Sequence, residues 1–192
     1  MKRKLFLLIA LLLLIIVFGG CDGGGITPGT TQLTTEEKEL ISIWGYDSEY
    51  TVRWPDGYVD VYDATGYSQM QKVLNQWNEV IGGVVTFRLS NNLNSPVRIY
   101  SQSTTGCYEE QCVWDVDAIW GNSNYTLSNI VLKIGINVTN DYSVRLHSFR
   151  AVVGFNRRIG ESEVCSSEDN ISNTMKKMVK ALYKVPPGYS LF

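Results

Sequence analysis

The sequence predicts an α+β domain in which helices pack on a mixed, twisted β-sheet. Several short segments alternate apolar and polar residues, as strands do, and three longer segments repeat apolar residues at helical spacing. The two kinds of segment are interspersed along one stretch of about 150 residues, which is long enough to bury a core without help from a metal. Helices interspersed with strands in one domain imply a sheet that helices cover.

Two predicted strands and a helix open the domain. The segments YTVRW (50–54) and YVDVYD (58–63) alternate and are rich in β-branched and aromatic residues, and the Pro-Asp-Gly between them is typical of a turn. In the helix that follows, Ser68 and Gln71 are predicted to form a capping box and Gly82 to end the helix. Its apolar face is predicted to consist of Met70, Val73, Leu74, Trp77 and Ile81.

Two further strands and an irregular region are predicted next. VVTFRL (84–89) and VRIYS (97–101) have the composition of strands and are separated by a polar turn sequence. The stretch from Cys107 to Ser128 shows no clear periodicity, and we expect it to be irregular. It carries Trp114 and Trp120.

The C-terminal part is predicted to contain one strand and two helices. NIVLKIGINV (129–138) alternates, Asn140 or Asp141 is predicted to cap a helix that Gly154 closes, and a last helix stops before Pro186. The predicted buried positions are Ile130, Leu132, Ile134 and Ile136 in the strand and Met175, Met178, Val179 and Leu182 in the last helix.

The N-terminal 39 residues indicate export. A basic start is followed by an apolar run of 14 residues and by Gly19-Gly20-Cys21, and such a run is too short to span a bilayer, which takes roughly 20 residues. This pattern resembles the lipobox of bacterial lipoproteins, so residues 1–20 are predicted to be a signal peptide and Cys21 the lipid anchor. An uncleaved membrane anchor is the alternative. The Gly- and Thr-rich residues 21–39 are predicted to be a flexible linker, and residues 40–192 the folded domain.

Charge and cysteine usage narrow the choice of partners. Without the three basic residues of the signal peptide, 14 basic residues stand against 19 acidic ones, a net charge of −5. This balance gives no reason to expect nucleic acid as a partner.

In an exported protein Cys107 and Cys112 could close a small disulfide loop or stay free, and Cys165 is left over as a buried apolar residue.

Five segments, taken in order, resemble a known family. They are RWPDGYVDVYD, VLNQWNEV, VVTFRL, VRIYS and ALYKVPPG. Their order and spacing resemble the catalytic domain of metzincin zinc proteases, closest to the matrixin-type branch and its bacterial relatives. The resemblance covers residues 50–189 approximately. It implies a twisted mixed sheet packed with an N-terminal helix, a helix of the active-site type and a C-terminal helix.

The segment LHSFRAVVGFNRR (146–158) contains the only histidine of the chain. Metzincins have H-E-x-x-H-x-x-G-x-x-H here, in which three histidines bind zinc, the glutamate is the general base and the glycine turns the chain. In this register His147 matches the first ligand and Gly154 the glycine. The other positions depart from the pattern: Ser148 replaces the glutamate, Ala151 and Arg157 replace the second and third histidines, and Cys165 falls where the family has a methionine below the metal.

The resemblance therefore implies the scaffold of a protease without its chemistry. One of three zinc ligands is present, and Arg157 would add a positive charge where the cation should lie. We predict no catalytic residue and no metal, and expect His147 to be a packed or hydrogen-bonded side chain. Arg150, Arg157 and Arg158 either form an anion-binding patch or pair with Glu161, Glu163 and solvent.

Three functions follow as expectations. The first is a membrane-anchored pseudo-metalloprotease that binds an extended peptide or protein, since metzincins hold substrate along the edge of their sheet above the active-site helix. On this hypothesis the region from Tyr108 to Tyr125 forms a wall of the groove, or else its tryptophans cover the core. The alternatives are a zinc-dependent endopeptidase with a non-standard site, and a surface-interaction lipoprotein with no groove function. In each case the domain lies on the periplasmic or cell-surface side of a bacterial membrane.

Overall fold

The part of the chain that the structure describes contains a mixed five-stranded sheet, a separate pair of short strands and four α-helices. The structure is a computed structural model, and it describes residues 32–103, 114–155, 165–167 and 170–192. The elements are α1 (Thr35–Trp44), β1 (Gly57–Asp63), α2 (Met70–Ile81), β2 (Val85–Leu89), β3 (Val97–Gln102), β4 (Trp114–Trp120), β5 (Leu127–Gly135), α3 (Tyr142–Val153), β6 (Cys165–Ser167), β7 (Asn170–Ile171) and α4 (Asn173–Lys184). A short 3₁₀ turn, Ile136–Val138, joins β5 to α3.

The sheet has the strand order β2-β1-β3-β5-β4. Strands β2, β1, β3 and β5 run parallel to one another, and β4 runs antiparallel to β5 at one edge. Strands β6 and β7 form a separate antiparallel pair. The prediction of a mixed sheet packed with helices is confirmed.

The core lies between one face of the sheet and the helices. Val59, Val61, Ile99, Ile130 and Leu132 alternate with more exposed residues along β1, β3 and β5 and are buried. The faces predicted for α2 and α4 are buried as expected. A buried hydrogen bond from the Trp77 indole N–H to the Leu146 carbonyl (3.2 Å) joins α2 to α3.

The predicted start of α2 is wrong, whereas its end is confirmed. The helix begins at Met70 after Gln69, and no side chain caps it. The side chain of Gln71 donates to Asn75 Oδ1 (2.9 Å) one turn further along, so it does not reach back to complete a capping box. Gly82 closes the helix with φ 73°, a conformation that favours glycine.

Residues 50–54 do not form a strand. Their backbone bonds are divided between two segments, because Thr51 exchanges bonds with residues 188–189 and Arg53 with residues 125–127. Each contact is an isolated bridge, so no ladder develops. The segment is nevertheless buried from Thr51 to Trp54, which explains its β-like composition.

The region predicted to be irregular contains strand β4. Its sequence, WDVDAIW, places half-buried Trp114, Val116, Ala118 and Trp120 in alternation with exposed residues. Aspartate is depleted in strands, so the segment has a weak strand signal, and it forms a strand because β5 provides the pairing. At the other end, β5 stops at Gly135 and the 3₁₀ turn leaves Ile136 60% exposed, so the prediction that Ile136 is buried is wrong.

Helix α1 was not predicted, and it begins five residues before the expected domain boundary at residue 40. Thr34 and Glu37 form a capping box in which each side chain accepts the backbone N–H of the other (3.1 and 2.7 Å). Ile41 anchors the helix in the core. The last residues of the predicted linker are therefore part of a folded helix.

Among the described helices, none combines the length and apolar character needed to cross a membrane. The predicted signal peptide, Cys21, Cys107, Cys112 and Arg157 lie outside the described residues.

Candidate functional site

Helix α3 carries the candidate site and has defined ends. The Asp141 carboxylate accepts the N–H groups of Ser143 (2.8 Å) and Val144 (3.2 Å), which confirms Asp141 as the N-cap. Gly154 ends the helix with φ 130°. A Cβ there would lie 2.8 Å from Leu182 Cδ2 and 3.2 Å from the Val52 carbonyl oxygen. Both the backbone angle and the close packing require glycine.

His147 is half-buried on α3 below the start of β4. Its ring meets the Trp114 ring edge to face, with centroids 5.9 Å apart. Its Nε2 accepts a hydrogen bond from Arg150 Nε at 3.5 Å, and its buried Nδ1 has no hydrogen-bond partner among the described residues. Burial and the neighbouring guanidinium of Arg150 lower the pKa of His147 to about 4. The imidazole is therefore neutral at pH 7.

Arg150 places a permanent charge inside the domain, next to His147. The residue is 1% exposed, its Nη1 donates to the Phe155 carbonyl (2.9 Å), and its guanidinium lies 4.9 Å from the centre of the Trp114 ring. Burial lowers the pKa of Arg150 to about 10, which leaves it cationic at neutral pH. The expected contact of Arg150 with solvent is wrong, because its side chain is buried, whereas the expected partners Glu161 and Glu163 lie outside the described residues.

Tyr46 forms a second connection between α3 and β4. Its hydroxyl donates to the Ala151 carbonyl (2.8 Å), and its ring lies 5.2 Å from that of Trp120. Burial raises the pKa of Tyr46, so the hydroxyl stays protonated and remains a donor. Trp114 near Arg150 and Trp120 near Tyr46 thus fix both ends of β4 to one side of α3.

Of the positions that resemble the zinc signature, the described residues Ser148 and Ala151 face the interior and not an open site. Ser148 and Ala151 are fully buried, and the Ser148 hydroxyl bonds to the Arg145 carbonyl (3.2 Å) within the helix. His147 points toward Trp114. Cys165 begins β6, and Arg157 lies beyond the last described residue after Gly154. Within residues 32–103, 114–155 and 170–192, no three His, Cys, Asp or Glu side chains are grouped so that they could hold a metal ion.

The face of β4 that carries Asp115 and Asp117 points away from the core; we call it the outer side of β4, and it is acidic. Asp115 and Asp117 are exposed and share the cation of Lys133 on β5, whose Nζ lies 4.0 Å from Asp115 Oδ2 and 2.7 Å from Asp117 Oδ2. The backbone N–H of Val116 donates to Asp115 Oδ1 (2.9 Å), which indicates that this N–H faces the outer edge and not β5.

Sequence reasoning missed three components of this arrangement: the strand β4, the burial of Arg150 and the hydroxyl of Tyr46. The alternation of WDVDAIW is the signal that could have revealed β4. Nothing local marks Arg150 as buried or brings Tyr46 to Ala151, because both contacts join residues far apart in the chain.

No protein-family model, no curated protein and no solved structure matches this chain.

Proposed function

We propose that this chain is an exported lipoprotein, anchored by Cys21, whose domain binds an extended peptide or protein segment along β4 without cleaving it. On this proposal it is a metzincin-like pseudo-metalloprotease. The observation that carries the proposal is the position of β4. It is the last strand of the sheet, no described strand pairs with its outer edge, and it is held over α3.

An open edge strand is a binding surface of known chemistry. Its outward N–H and C=O groups can pair with an added strand, which supplies affinity, while side chains on alternate sides supply selectivity. β4 is well suited because Trp114 and Trp120 are packed against the core and fix its course. A partner would therefore meet a strand that is already ordered, and binding would cost little conformational entropy on the protein's side.

The interior below β4 supports binding without hydrolysis. A catalytic zinc site needs three protein ligands and an open position for water. Here a neutral His147 is in contact with the cationic guanidinium of Arg150, and this charge disfavours a metal ion at the imidazole. Ser148, at the position of the family's general base, is buried and bonded to its own helix.

Two features support the metzincin-like ancestry. The helix that carries His147 ends at a glycine with φ 130°, at the position where the signature has its glycine. An edge strand lies against that same helix through Trp114, where the resemblance expects the groove.

The first test measures whether binding uses the backbone of β4. Random peptides of about ten residues would be selected on the immobilised residues 32–192, and the best binder would then be N-methylated at every second backbone nitrogen, in both alternations. In a paired strand, the N–H groups of every second residue point toward the neighbouring strand, and the others point away from it. We expect methylation of the first set to abolish binding and methylation of the second to leave it nearly unchanged, as measured by calorimetry. Equal tolerance of both, or no selected peptide, would overturn the proposal.

The second test distinguishes binding from proteolysis. The purified domain should contain no stoichiometric zinc, its melting temperature should not change when a chelator is added, and the selected peptide should stay intact during incubation. Zinc at one equivalent, together with cleavage that His147→Ala abolishes, would instead establish the endopeptidase.

The third test concerns the anchor. Mass spectrometry of the full chain isolated from the membrane fraction should find Cys21 as the N-terminal residue, with acyl chains attached, because these chains supply the attachment. A chain that retains residues 1–20 and carries no acyl group would indicate an uncleaved N-terminal anchor.

A further inference from the structure

We propose that the segment bound at β4 is basic, with lysine or arginine at alternate positions and apolar side chains between them. This inference rests on the proposed binding at β4 and adds the chemical class of the partner. It follows from the charges on the outer side of β4 and from the apolar character of its other side.

The outer side of β4 has an excess of negative charge. Asp115 and Asp117 are 60% and 65% exposed, and among the described residues the cation in contact with both is Lys133, which is 37% exposed. Two carboxylates therefore share one ammonium group. Residues directly opposite in neighbouring strands have Cβ atoms about 4.5–5.5 Å apart, so a strand added to β4 brings its side chains within reach of both carboxylates.

Backbone pairing itself creates a need for a cation. The carboxylate of Asp115 accepts the Val116 N–H in the absence of a partner. A strand whose carbonyl takes this N–H displaces the carboxylate and leaves it without its hydrogen bond. A lysine or arginine opposite Asp115 replaces the lost bond with a charge-assisted one, whereas a neutral side chain does so less well and an acidic one is repelled.

The opposite side of β4 requires apolar residues. Trp114, Val116 and Ala118 alternate with the two aspartates and are half-buried against the core. Side chains of an added strand alternate in the same way, so those on this side extend the apolar layer. The expected pattern is therefore basic, apolar, basic, apolar.

A second copy of this chain is a poor occupant of the edge. Full-length antiparallel pairing of β4 (Trp114–Trp120) with itself has its centre at Asp117, which would face Asp117 of the other copy. Like charges directly opposite destabilise a strand pair. The same carboxylates that favour a basic partner therefore disfavour self-pairing.

The experiment uses a blocked peptide of about nine residues in which lysine alternates with valine or threonine. Matched peptides carry glutamine or glutamate in place of lysine, and a fourth has the same composition with its lysines in one block. We expect the alternating lysine peptide to bind residues 32–192 about 2- to 30-fold more tightly than the glutamine peptide, the range that two opposite-charge pairs cover. The glutamate and block peptides should bind more weakly still, and the preference should fall as salt is raised.

Variants of the protein locate the effect. The double variant Asp115→Asn/Asp117→Asn should lose the preference for lysine. Asp60→Asn is the control and should keep this preference. Asp60 pairs with Arg88 on the same face of the sheet, but it lies on β1, two strands away from β5. Lys133→Gln should raise the affinity of the domain for the lysine peptide. It frees both carboxylates, so the lysine peptide should bind more tightly than to the unmodified domain.

The outcomes separate this inference from the function on which it rests. Peptides that bind through one backbone alternation, with no preference for lysine, would leave the binding function standing and overturn the basic partner. So would an Asp115→Asn/Asp117→Asn variant that gains affinity for every peptide and self-associates, because the carboxylates would then only protect the edge. If no peptide in either experiment binds, both proposals fail.

Discussion

The two ends of helix α3 each bury an arginine, but in different surroundings. Arg145 and Arg150 are both 1% exposed. Arg145 lies against the Asp63 carboxylate (3.6 Å), the Thr139 carbonyl (2.8 Å) and the ring of Tyr67 (4.9 Å). Arg150 lies against the ring of Trp114, the imidazole of His147 and the Phe155 carbonyl. Each arginine lies against an aromatic ring, and among the contacts described Arg145 also lies against a carboxylate and Arg150 against an imidazole.

This difference follows the position of each end in the fold. Asp63 is the last residue of β1, a strand inside the sheet, so Arg145 connects α3 to the centre of the domain. Trp114 is the first residue of β4, so Arg150 connects the same helix to the edge. We infer that the Arg145 end maintains the centre of the fold and that the Arg150 end maintains the edge strand β4, where binding is proposed.

The largest expected effect concerns the Arg145 end. Arg145→Met removes the cation and leaves Asp63, whose side chain is 5% exposed, as an uncompensated buried charge. We expect the free energy of unfolding to fall by about 3–5 kcal/mol, measured by urea denaturation at pH 7. The double variant Asp63→Leu/Arg145→Met should recover much of this loss, because neither charge then remains. A single variant that loses less than about 1 kcal/mol would contradict a central role for Arg145.

A smaller effect is expected for the residue that ends α3 on the Arg150 side. Gly154→Ala forces a side chain into φ 130° and places its Cβ 2.8 Å from Leu182. We expect a loss of about 2–3 kcal/mol from backbone strain and repacking together.

Gly82→Ala is the matched control for this substitution. Gly82 ends α2 with φ 73°, and its added Cβ would meet nothing within 4 Å, so only the backbone term of about 1 kcal/mol applies. Equal losses for the two variants would show that packing against Leu182 contributes nothing.

Sequence reasoning succeeded where the signal is local and periodic. Helix α2 repeats apolar residues at helical spacing and has a glycine at its end, and Asp141 stands before a helix as an N-cap. The mixed sheet follows from strands interspersed with such helices. These features depend on neighbours in the chain, so they can be read from a single sequence.

It failed where a distant partner decides the structure. The segment 50–54 has the composition of a strand, but its bonds go to two different segments. WDVDAIW has poor strand composition and becomes β4 because β5 pairs with it. From the sequence Arg150 is expected on the surface, but Trp114 of strand β4 and the Phe155 carbonyl just after α3 contact its guanidinium. Tertiary contacts outweighed local propensity in all three cases.

A third prediction uses the pH dependence at the Arg150 end. Burial and Arg150 hold the pKa of His147 at about 4, below its ordinary value near 6.5. The unfolded chain therefore takes up the proton first as the pH falls. His147 contributes its full stability above about pH 6.5 and loses it progressively as the pH falls toward 4. Because the side chain is half-buried and partly screened by solvent, we expect this loss to be about 1–2 kcal/mol.

The measurement compares unfolding of the unmodified domain and of His147→Gln between about pH 7 and pH 4.5. Carboxylates titrate equally in both proteins, so the difference isolates the imidazole. The stability difference between the two proteins should shift in favour of His147→Gln as the pH falls. Parallel pH profiles would show that the imidazole accepts a proton inside the folded domain as easily as in water.

The smallest effect separates stability from binding at the two ends of α3. Asp141→Ala removes the cap of two N–H groups at the Arg145 end and should cost about 1 kcal/mol, whereas Asp141→Asn should cost only a few tenths, since the amide oxygen still caps. Neither variant touches β4, so the affinity for the alternating lysine peptide should stay the same in both. If Asp141→Ala lowers the affinity for the peptide, the two ends of α3 act as one unit. Strand β4 would then depend on the whole helix and not only on the contacts of Arg150 and Trp114.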